Sequence, residues 1–508
     1  MAYISPNTTI KICKNVALDS DYRNTINFND ASSQYAFFNG KVKYTQSNYT
    51  YQRIRKNILR IAINADNLYD CNYMMFQNTS FGAKWFYAFI TNVEYVNNET
   101  SEITFELDYI QTYLFDIVYK KCYIERQHSR YDNIYFNHQP EDYTGSEFIE
   151  NTTQHISEGA HYYGVLITEL PDSQQFPSNL VRTYRGYANG VACGLWLIYN
   201  IQSQAVLGQV FISIEQSTNI KLDAVVSVFR YPSKYAQTLS DTNLPYSQLH
   251  TVRIPTSLNG YTPRNKKLLQ YPYNFLRLQT ANNENVDLRY ERFNNPVDGI
   301  IEVHEYGAIY PTVEGLVVPY EYEYSGTGNN SYSFKISLDS SVQVGMTGDS
   351  YRDWLSSNKL NLAISAISAV LQGLRNPVNM IERTGQLANT LINKSAMSNK
   401  EVGSAGNGIV DSAIGNDGFY IKQVCIESDE AIAIDNYFTK YGYTANVIDY
   451  PNRRYRPNFN YIKTRDCCLT GGCPNEALRR IEQAFNDGIT WWNNGDNIGD
   501  YDLNNSPT

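Results

Sequence analysis

The 508-residue sequence predicts a mainly β protein, with β-barrel, tube-forming domains and one small helical or loop insertion. Two observations carry this prediction. The chain holds 44 Tyr, together with abundant Asn and Thr, and this composition favours strands and turns. A single stretch, residues 355–415, differs: it is rich in Ala, Ser, Gly, Leu and Ile and nearly free of aromatic residues. We therefore expect a β protein into which residues 355–415 are inserted.

The clearest local pattern is a long antiparallel hairpin in the first quarter of the chain. Apolar and β-branched residues alternate in the first strand, a polar turn follows at residues 97–100, and the alternation returns in the second strand. The residues concerned are Trp85, Tyr87, Phe89, Thr91, Val93 and Tyr95, then Ile103, Phe105, Leu107 and Tyr109. Strands of roughly ten residues exceed the usual five or six, as they do in barrels and tubes.

Further apolar runs between turn residues predict strands along the rest of the chain. One run, residues 118–126, is expected to extend the same sheet, and a polar stretch then reaches residue 159. Near the C-terminus, residues 477–486 form a helix with Pro474 before it and Gly488 after it, and the tail from Asn493 is expected to fray. Other predicted strands are 9–12, 57–63, 163–168, 194–199, 210–214, 222–229, 286–293, 300–303, 315–324, 331–336 and 459–464.

The insertion begins with the pattern of an amphipathic helix that Pro377 ends. Its apolar residues recur at a helical spacing, while Asn361, Ser365, Ser368 and Gln372 occupy the other face. These apolar residues are Leu360, Ala363, Ile364, Ile367, Val370, Leu371 and Leu374. A second periodic run covers 380–392, and residues 402–415 are mostly small and polar.

Two interpretations of this helix follow from its length and pattern. It is shorter than the 20 or so apolar residues of a spanning helix, so one copy would not cross a bilayer. Several copies could, with the Ser and Asn faces around a shared lumen. From periodicity alone an ordinary helical hairpin packed on its own protein is favoured, since amphipathic helices usually face a core.

Composition limits the classes of partner. The formal net charge is −9, so no basic surface predicts tight binding of nucleic acid, whereas an acidic wall would let DNA slide past it. Eight Cys are scattered over a large chain, which favours reduced thiols over disulfides. The first residues lack the basic and apolar pattern of a secretory signal.

No group of residues predicts catalysis, a metal or a cofactor. His155, Glu158 and His161 are separated by Gly159 and lack a fourth ligand, and Cys425, Cys467, Cys468 and Cys473 do not have zinc-site spacing. His304-Glu305 lacks the second His of a zincin. Carboxylate pairs such as Glu302 and Glu305 are commonplace in an acidic chain. An enzyme is therefore not expected.

Four long blocks, in order, resemble one family. The first is 84–90 with 93–95, the second is 105–108 with 111–112 and 124–128, and the third is 265–275. The fourth runs from Asp435-Asn436-Tyr437-Phe438-Thr439-Lys440-Tyr441-Gly442-Tyr443 through 461–464 to Trp491-Trp492. Together they resemble the tail knob proteins of small short-tailed phages with protein-primed genomes.

The resemblance implies a homohexameric ring at the distal end of the virion tail, with a β-barrel wall to which every subunit contributes strands. It also implies that the insertion, here residues 355–415, plugs the exit and then acts on the host membrane. Implied partners are the other tail proteins (the lower collar or connector side and the tail spikes), viral DNA in the lumen, and the host membrane. Arg375, Glu382, Arg383 and Lys394 make this insertion more polar than the family pattern.

The resemblance gives five segments and leaves two alternatives. The N-terminal part of the tube is 1–130, a β-rich middle domain is 131–255, and 256–354 rejoins the tube. The plug is 355–415, and 416–508 is the C-terminal part of the tube or knob. A receptor-binding adhesin would instead use Tyr- and Asn-rich loops of the middle region, and a tail-tip hydrolase would need a catalytic group that the sequence does not offer.

Overall fold

The protein is mainly β throughout its described part, as the composition predicts. The structure is a computed structural model. It describes residues 7–49, 57–79, 82, 84–135, 139, 141–143, 145, 147–157, 159–167, 181–188, 191–216, 225–235, 246–280, 285–294, 296–309, 313–322, 336–338 and 418–507.

Short and long strands alternate with few helices among these residues. The strands are β1 (Thr8–Lys14), β2 (Asn24–Ile26), β3 (Val42–Tyr49), β4 (Ile58–Ile61), β5 (Cys71–Asn78), β6 (Trp85–Asn97), β7 (Thr100–Leu107), β8 (Ile117–Tyr119), β9 (Cys122–Gln127), β10 (Phe148–Ile156), β11 (His161–Ile167), β12 (Val181–Ala188), β13 (Val191–Ile201), β14 (Val225–Pro232), β15 (Tyr246–Arg253), β16 (Asn274–Thr280), β17 (Asn285–Leu288), β18 (Ile300–Ile309), β19 (Val313–Pro319), β20 (Ile336–Leu338), β21 (Phe419–Ile426), β22 (Tyr443–Asp449), β23 (Phe459–Arg465), β24 (Leu469–Gly471) and β25 (Ile489–Trp492). The helices are α1 (Ala31–Gly40), α2 (Tyr109–Tyr113), α3 (Gln204–Gln216), α4 (Ser428–Tyr441) and α5 (Asn475–Asp487).

The chain divides into two compact units, each built from separate stretches. Unit 1 comprises Met1–Glu147, Ser257–Tyr273 and Ile426–Thr508, and unit 2 comprises Phe148–Thr256 and Asn274–Cys425. Unit 1 thus joins the beginning and the end of the chain. The five-segment division remains a prediction.

A six-stranded sheet in unit 1 contains the predicted long hairpin. The strand order is β3-β1-β5-β6-β7-β4, and β6 and β7 pair antiparallel, which confirms the hairpin. Successive residues of β5 are buried on both faces, because Met74 and Phe76 face one apolar cluster while Tyr73 and Met75 face another. Helix α1 covers the second face, where the Phe38 and Tyr73 rings stack with centroids 5.0 Å apart. The centre of the sheet, at β5, is therefore buried on both faces, whereas β3 and the far end of β6 are partly or fully exposed.

A second sheet of unit 1 joins the two ends of the chain. Its order is β2-β25-β23-β9-β22, so β9 lies between two strands from the last 70 residues. Helix α5 packs Ile481 and Phe485 into the same apolar cluster as Ile462 and Trp491. This confirms the helix predicted for 477–486, which ends at Gly488 with a φ of +98°.

The prediction for residues 118–126 is wrong in its pairing. The run forms two strands, β8 and β9, and neither joins the sheet of the long hairpin. Lys120 and Lys121 separate them, and β8 pairs with β24 while β9 pairs with β22 and β23. Strand partners this remote in sequence leave no local pattern that an apolar run could reveal.

The described residues of unit 2 form three four-stranded sheets. Their orders are β10-β21-β16-β17, β12-β13-β11-β14 and β15-β18-β19-β20. The strand predicted for 286–293 is confirmed in its first part as β17, which pairs antiparallel with β16, whereas residues 290–292 form a 3-10 turn. The polar stretch expected to reach residue 159 contains β10, an edge strand whose side chains are mostly exposed. Apolar alternation cannot reveal such a strand, because its backbone pairing rather than side-chain burial holds it in the sheet.

One predicted strand of unit 2 is a helix. Residues 210–214 belong to α3, in which Leu207, Phe211 and Ile214 are buried at helical spacing. A five-residue apolar run fits either structure, and the longer period that includes Leu207 decides for the helix.

The predicted fraying of the C-terminal tail is also wrong. Asn505 Nδ2 donates to the carbonyl oxygen of Phe459 at 2.8 Å, and its Oδ1 accepts from the backbone N–H of Phe459 at 3.1 Å. Ring contacts between Tyr501 and both Phe459 and Trp492 add packing. The polar tail is ordered because its amides complete backbone hydrogen bonds beside β23.

Candidate functional site

The residues predicted to act on membranes lie outside the described part of the chain. They are Leu360, Ala363, Ile364, Ile367, Val370, Leu371 and Leu374, within the insertion between β20 and β21. Among the residues that the structure does describe, no helix combines the length and apolarity needed to cross a bilayer.

Three of the four sequence blocks meet at one place in unit 1, which we call the block junction: His128, Asn265, Asp435, Thr439, Tyr443 and Tyr461. Asp435 is fully buried on α4 and accepts four hydrogen bonds. The donors are the Tyr261 hydroxyl at 2.6 Å, the backbone N–H groups of Arg264 and Asn265, and Asn265 Nδ2 at 2.8 Å. Its carboxylate thereby fixes the loop before Lys266 to α4, because an acceptor buried this deeply requires partners.

His128 connects β9 to two further parts of the junction. Its Nε2 lies 3.0 Å from the Thr439 carbonyl oxygen, and its Nδ1 accepts the backbone N–H of Tyr461 at 2.7 Å. Burial, together with the nearby charge of Arg456, lowers the pKa of His128 to about 3. The imidazole is therefore neutral at physiological pH, with Nε2 protonated, and serves as a structural bridge rather than a proton carrier.

The glycine of the Tyr441-Gly442-Tyr443 motif is required by the same junction. Gly442 ends α4 with a φ of +64°, a conformation that side chains disfavour. A Cβ at this position would also collide with the backbone of Gln127 and His128. Only glycine lets α4 and β9 approach this closely.

An ion pair continues the junction toward the surface. Arg126 contacts Glu141, which is buried, and Arg126 Nη1 donates to the Gly442 carbonyl oxygen at 2.6 Å. Glu141 in turn accepts the backbone N–H and the hydroxyl of Thr444, each at 2.7 Å. The start of β22 is thus fixed by charge-assisted bonds.

Next to this ion pair lies an open cleft of about 490 Å³, which we call the tyrosine cleft. Tyr437 and Tyr441 lie one helical turn apart on α4, with ring centroids 5.0 Å apart. Tyr441 meets the ring of Tyr461 edge to face at 5.1 Å. A fourth tyrosine, Tyr123, also lines the cleft. The other lining residues are polar or charged: Glu125, Arg126, Asp142, Thr444, Asn446, Lys463 and Arg465. It is a concave, aromatic and hydrogen-bonding surface.

A buried charged group in unit 2 was not expected from the sequence. Glu305 is fully buried, contacts the Lys234 ammonium group, and lies 3.2 Å from His250 Nε2. Burial alone would raise the pKa of Glu305, but hydrogen bonds from His250 and Lys234 and the Lys234 charge hold that pKa below its usual value. Lys234 and Glu305 lie 71 positions apart in the sequence. The pairing of β15 with β18 brings His250 close to Glu305.

The other sequence candidates are not brought together as a site. The His155 ring stacks on Tyr420, with centroids 4.6 Å apart, and Glu158 lies outside the described residues. Burial raises the pKa of the Cys467 thiol to about 12. Within the described ranges no three His, Cys, Asp or Glu side chains are grouped as metal ligands would be.

Comparison with known proteins identifies the family. The model of the family described as Bacillus phage phi29, tail knob protein gp9, C-terminal domain, matches residues 227–410 and 393–506, more than half of the chain. The chain belongs to this tail knob family. A second model, of the caudoviral major tail protein N-terminus, matches residues 6–120. The resemblance inferred from the four blocks is confirmed, and tail knob proteins are structural components of the virion tail.

Individual relatives are similar over their whole length. The chain is 25% identical to tail knob protein gp9 of Bacillus phage phi29 over 600 aligned residues, which cover 99% of this chain and 100% of the relative. It is 24% identical to the protein of the same name in Bacillus phage PZA, over the same shares. The solved tail knob protein gp12 of bacteriophage C1 has a TM-score of 0.59 at 12% identity, covering 97% of this chain and 98% of that one. This last similarity shows the fold: the mainly β tail knob architecture is confirmed.

Sequence reasoning identified the blocks but not what they do. The block from Asp435 to Tyr443 contributes a buried carboxylate, a helix-ending glycine and two cleft tyrosines, and none of these roles follows from periodicity. One signal was available: Asp435 and Thr439 are polar residues on the face of α4 that the apolar Ala431 and Phe438 share, which marks a buried polar contact.

Proposed function

We propose that the protein forms the distal tail knob as a homohexameric ring with a β-barrel wall, through which the viral genome leaves. The projecting end of the β6–β7 hairpin carries this proposal. Strand β5 pairs with β6 only from Trp85 to Phe89, whereas β6 continues to Asn97. Among the described residues, no strand pairs with the β5 side of β6 beyond Phe89. Tyr95 is 61% exposed and Val96 41% exposed on this part.

A free strand edge with exposed apolar residues is an aggregation hazard in a single molecule. Pairing each edge with the next subunit removes the hazard, and a head-to-tail contact that closes gives a ring. Strand β22 is a second edge of this kind, since it ends the five-stranded sheet and leaves Ile448 68% exposed. Ring formation would therefore pair strand edges that are unpaired in a single chain.

The conduit role agrees with the charge of the chain. The formal net charge of the chain is −9. A lumen wall with the same average negative charge would repel the phosphates of DNA, so the DNA could pass without being bound tightly. The other faces of the ring would join the remaining tail proteins, on the connector side and at the tail spikes.

The oligomeric state tests the ring. Light scattering after size-exclusion chromatography should give six times the 58.2 kDa chain, and electron microscopy should show a ring. Tyr95→Lys should release single chains, because a charge on the projecting edge opposes pairing. Tyr69→Lys is the matched control, since Tyr69 is 73% exposed but lies outside any strand. A wild-type protein that remains a single chain contradicts the ring.

We further propose that residues 355–415 plug the exit and then act on the host membrane. Support comes from the position of this insertion within a tail knob chain and from the helical recurrence of its apolar residues. Six copies around one exit would supply the several amphipathic helices that a membrane lesion needs, where one copy is too short.

Dye release from liposomes tests the membrane role. The wild-type protein should cause leakage, and Ile364→Asp with Ile367→Asp should abolish it, because two charges on the apolar face oppose insertion. Ser365→Asp with Ser368→Asp is the control, with equal added charge on the polar face, and should retain leakage. Equal leakage from both double variants would refute the assignment, provided that both still form the ring.

A further inference from the structure

The tyrosine cleft has the composition of a ligand site that the conduit and the plug do not use. Tyr437 and Tyr441 are 46% and 39% exposed, and their rings form a continuous aromatic surface with Tyr461. The Arg126 guanidinium lies 4.9 Å from the centroid of the Tyr437 ring and holds that ring in place. An exposed, pre-positioned aromatic surface within a concave cleft marks a binding site.

Polar groups around the rings remain available. Within the described residues, the Asp142 carboxylate and the Tyr437 and Tyr441 hydroxyl groups have no hydrogen-bond partner. A carboxylate accepts from hydroxyl groups, and a tyrosine hydroxyl both donates and accepts. The cleft therefore offers donors and acceptors beside aromatic faces.

The charges of the cleft disfavour a strongly anionic ligand. Each cation that lines the cleft already has a carboxylate partner. Arg126 pairs with Glu141, while Lys463 and Arg465 both contact Glu125, at 3.1 and 2.7 Å. A phosphate or carboxylate ligand would compete with these carboxylates for the same cations, and the unpaired Asp142 would repel it.

The same charges argue against a protein partner. Five of the eleven lining residues are charged, whereas the buried centre of a protein interface is depleted of charge. The cleft is also concave, and small-molecule sites of 300–1,000 Å³ are typically clefts of this kind.

We propose that the tyrosine cleft binds an uncharged saccharide. A sugar ring has C–H faces that pack on aromatic rings and hydroxyl groups at its rim that reach planar polar side chains. In the cleft, Tyr437 and Tyr441 supply the faces, and Asp142 and Asn446 supply hydrogen bonds to the rim. This inference concerns unit 1 alone and depends neither on the ring nor on the membrane activity of the insertion.

Titration of the full-length protein with defined saccharides tests the proposal. The probes are maltotriose and the N-acetylglucosamine trisaccharide, both uncharged, and trigalacturonic acid as the charged comparison. Binding is followed by saturation-transfer NMR and calorimetry up to about 10 mM ligand. At least one uncharged trisaccharide should bind, and Tyr437→Ala should weaken it about tenfold, because the ring face is lost.

Two matched variants separate a binding role from a structural one. Asp142→Asn keeps the shape of the side chain but changes its hydrogen bonding, so affinity should fall while the circular dichroism spectrum stays unchanged. Tyr69→Ala removes an exposed tyrosine that does not line the cleft, and this variant should bind as the wild type does.

Three results would overturn the proposal. The first is the absence of binding by both uncharged trisaccharides, and the second is binding of trigalacturonic acid alone. The third is unchanged affinity in a folded Tyr437→Ala variant. A change in the number of assembled copies in this variant, without any saccharide binding, would assign the cleft to a protein interface instead.

Discussion

Nδ1 of His128 accepts the backbone N–H of Tyr461 at 2.7 Å, across 333 positions of the chain. Nε2 of the same ring faces the carbonyl oxygen of Thr439, so a neutral imidazole satisfies both contacts with one donor and one acceptor. Protonation would place a second N–H against the N–H of Tyr461. The junction of β9, α4 and β23 is therefore compatible only with an uncharged ring.

The first prediction concerns acid stability. The pKa of His128 is about 3 in the folded chain, against about 6.5 when unfolded, so the unfolded state binds the extra proton first. Its contribution to stability is complete above about pH 6.5 and declines toward pH 3, by ~1.4 kcal/mol per unit. The contribution of His128 should fall by about 2 kcal/mol between about pH 7 and about pH 5, measured as the difference between the wild type and His128→Asn in urea unfolding followed by tryptophan fluorescence.

A variant separates this effect from other titrating groups. Burial raises the pKa of Asp108 to about 6, which works in the opposite direction, since its folded form gains stability as the pH falls from about 6 toward the unfolded value near 3.8. His128→Asn should remove the pH-dependent loss, while His304→Asn, at a partly exposed histidine, should keep it. An identical pH profile in His128→Asn and the wild type would contradict the prediction.

The second prediction concerns the glycine that ends α4. Gly442→Ala should destabilise unit 1 by about 3 kcal/mol or more, because it combines a left-handed φ with a collision against the backbone of Gln127 and His128. Gly260→Ala is the control: its φ is +87°, but nothing lies within 4 Å of the added Cβ, so strain alone should cost about 1 kcal/mol. Equal losses in the two variants, measured by urea unfolding, would show that the close approach is unimportant.

The third prediction concerns Asp435. Asp435→Ala leaves the donors of Tyr261, Arg264 and Asn265 without their acceptor and should cost about 3–5 kcal/mol. Asp429→Ala, in the exposed first turn of the same helix, should cost only about 0.5 kcal/mol through the helix dipole. Thermal unfolding of both variants makes the comparison, and a mild effect of Asp435→Ala would mean that water replaces the carboxylate.

The fourth prediction concerns the buried charges of unit 2. Glu305→Ala should destabilise this unit by about 3–5 kcal/mol, because the Lys234 ammonium loses its buried counter-charge. Hydrogen exchange should accelerate in β15 and β18, the strands that carry His250 and Glu305. Glu302→Ala, at a 40% exposed side chain three residues away, should change stability by less than about 1 kcal/mol. Similar exchange in the two variants would exclude a structural role for the buried group.

The sequence predicted those elements whose pattern is local. The β6–β7 hairpin has alternation on both strands and a polar turn, and α5 has clear start and stop residues. Residues 210–214 show where this fails, since a short apolar run does not distinguish a strand from part of a helix. Strand β10 was missed because it has no apolar pattern: an exposed edge strand needs no apolar residues.

The candidate site was less predictable than the fold. Asp435, His128 and Gly442 owe their roles to partners from distant segments, and the sequence gives no register between those segments. The tyrosine cleft depends on the same packing, since β9, α4 and β23 supply its walls. The family resemblance identified the important blocks, and the three-dimensional packing shows which contacts each side chain makes.

Unit 1 joins the first and the last stretches of the chain, and this sets an order for folding during synthesis. Both neighbours of β9 begin at residue 443 or later, so this strand leaves the ribosome more than 300 residues before its partners. All of unit 2 is translated in the interval and can complete its own sheets first. The nascent chain must therefore shield β9 until translation is almost finished, and a premature stop codon before residue 443 would leave that strand without either neighbour.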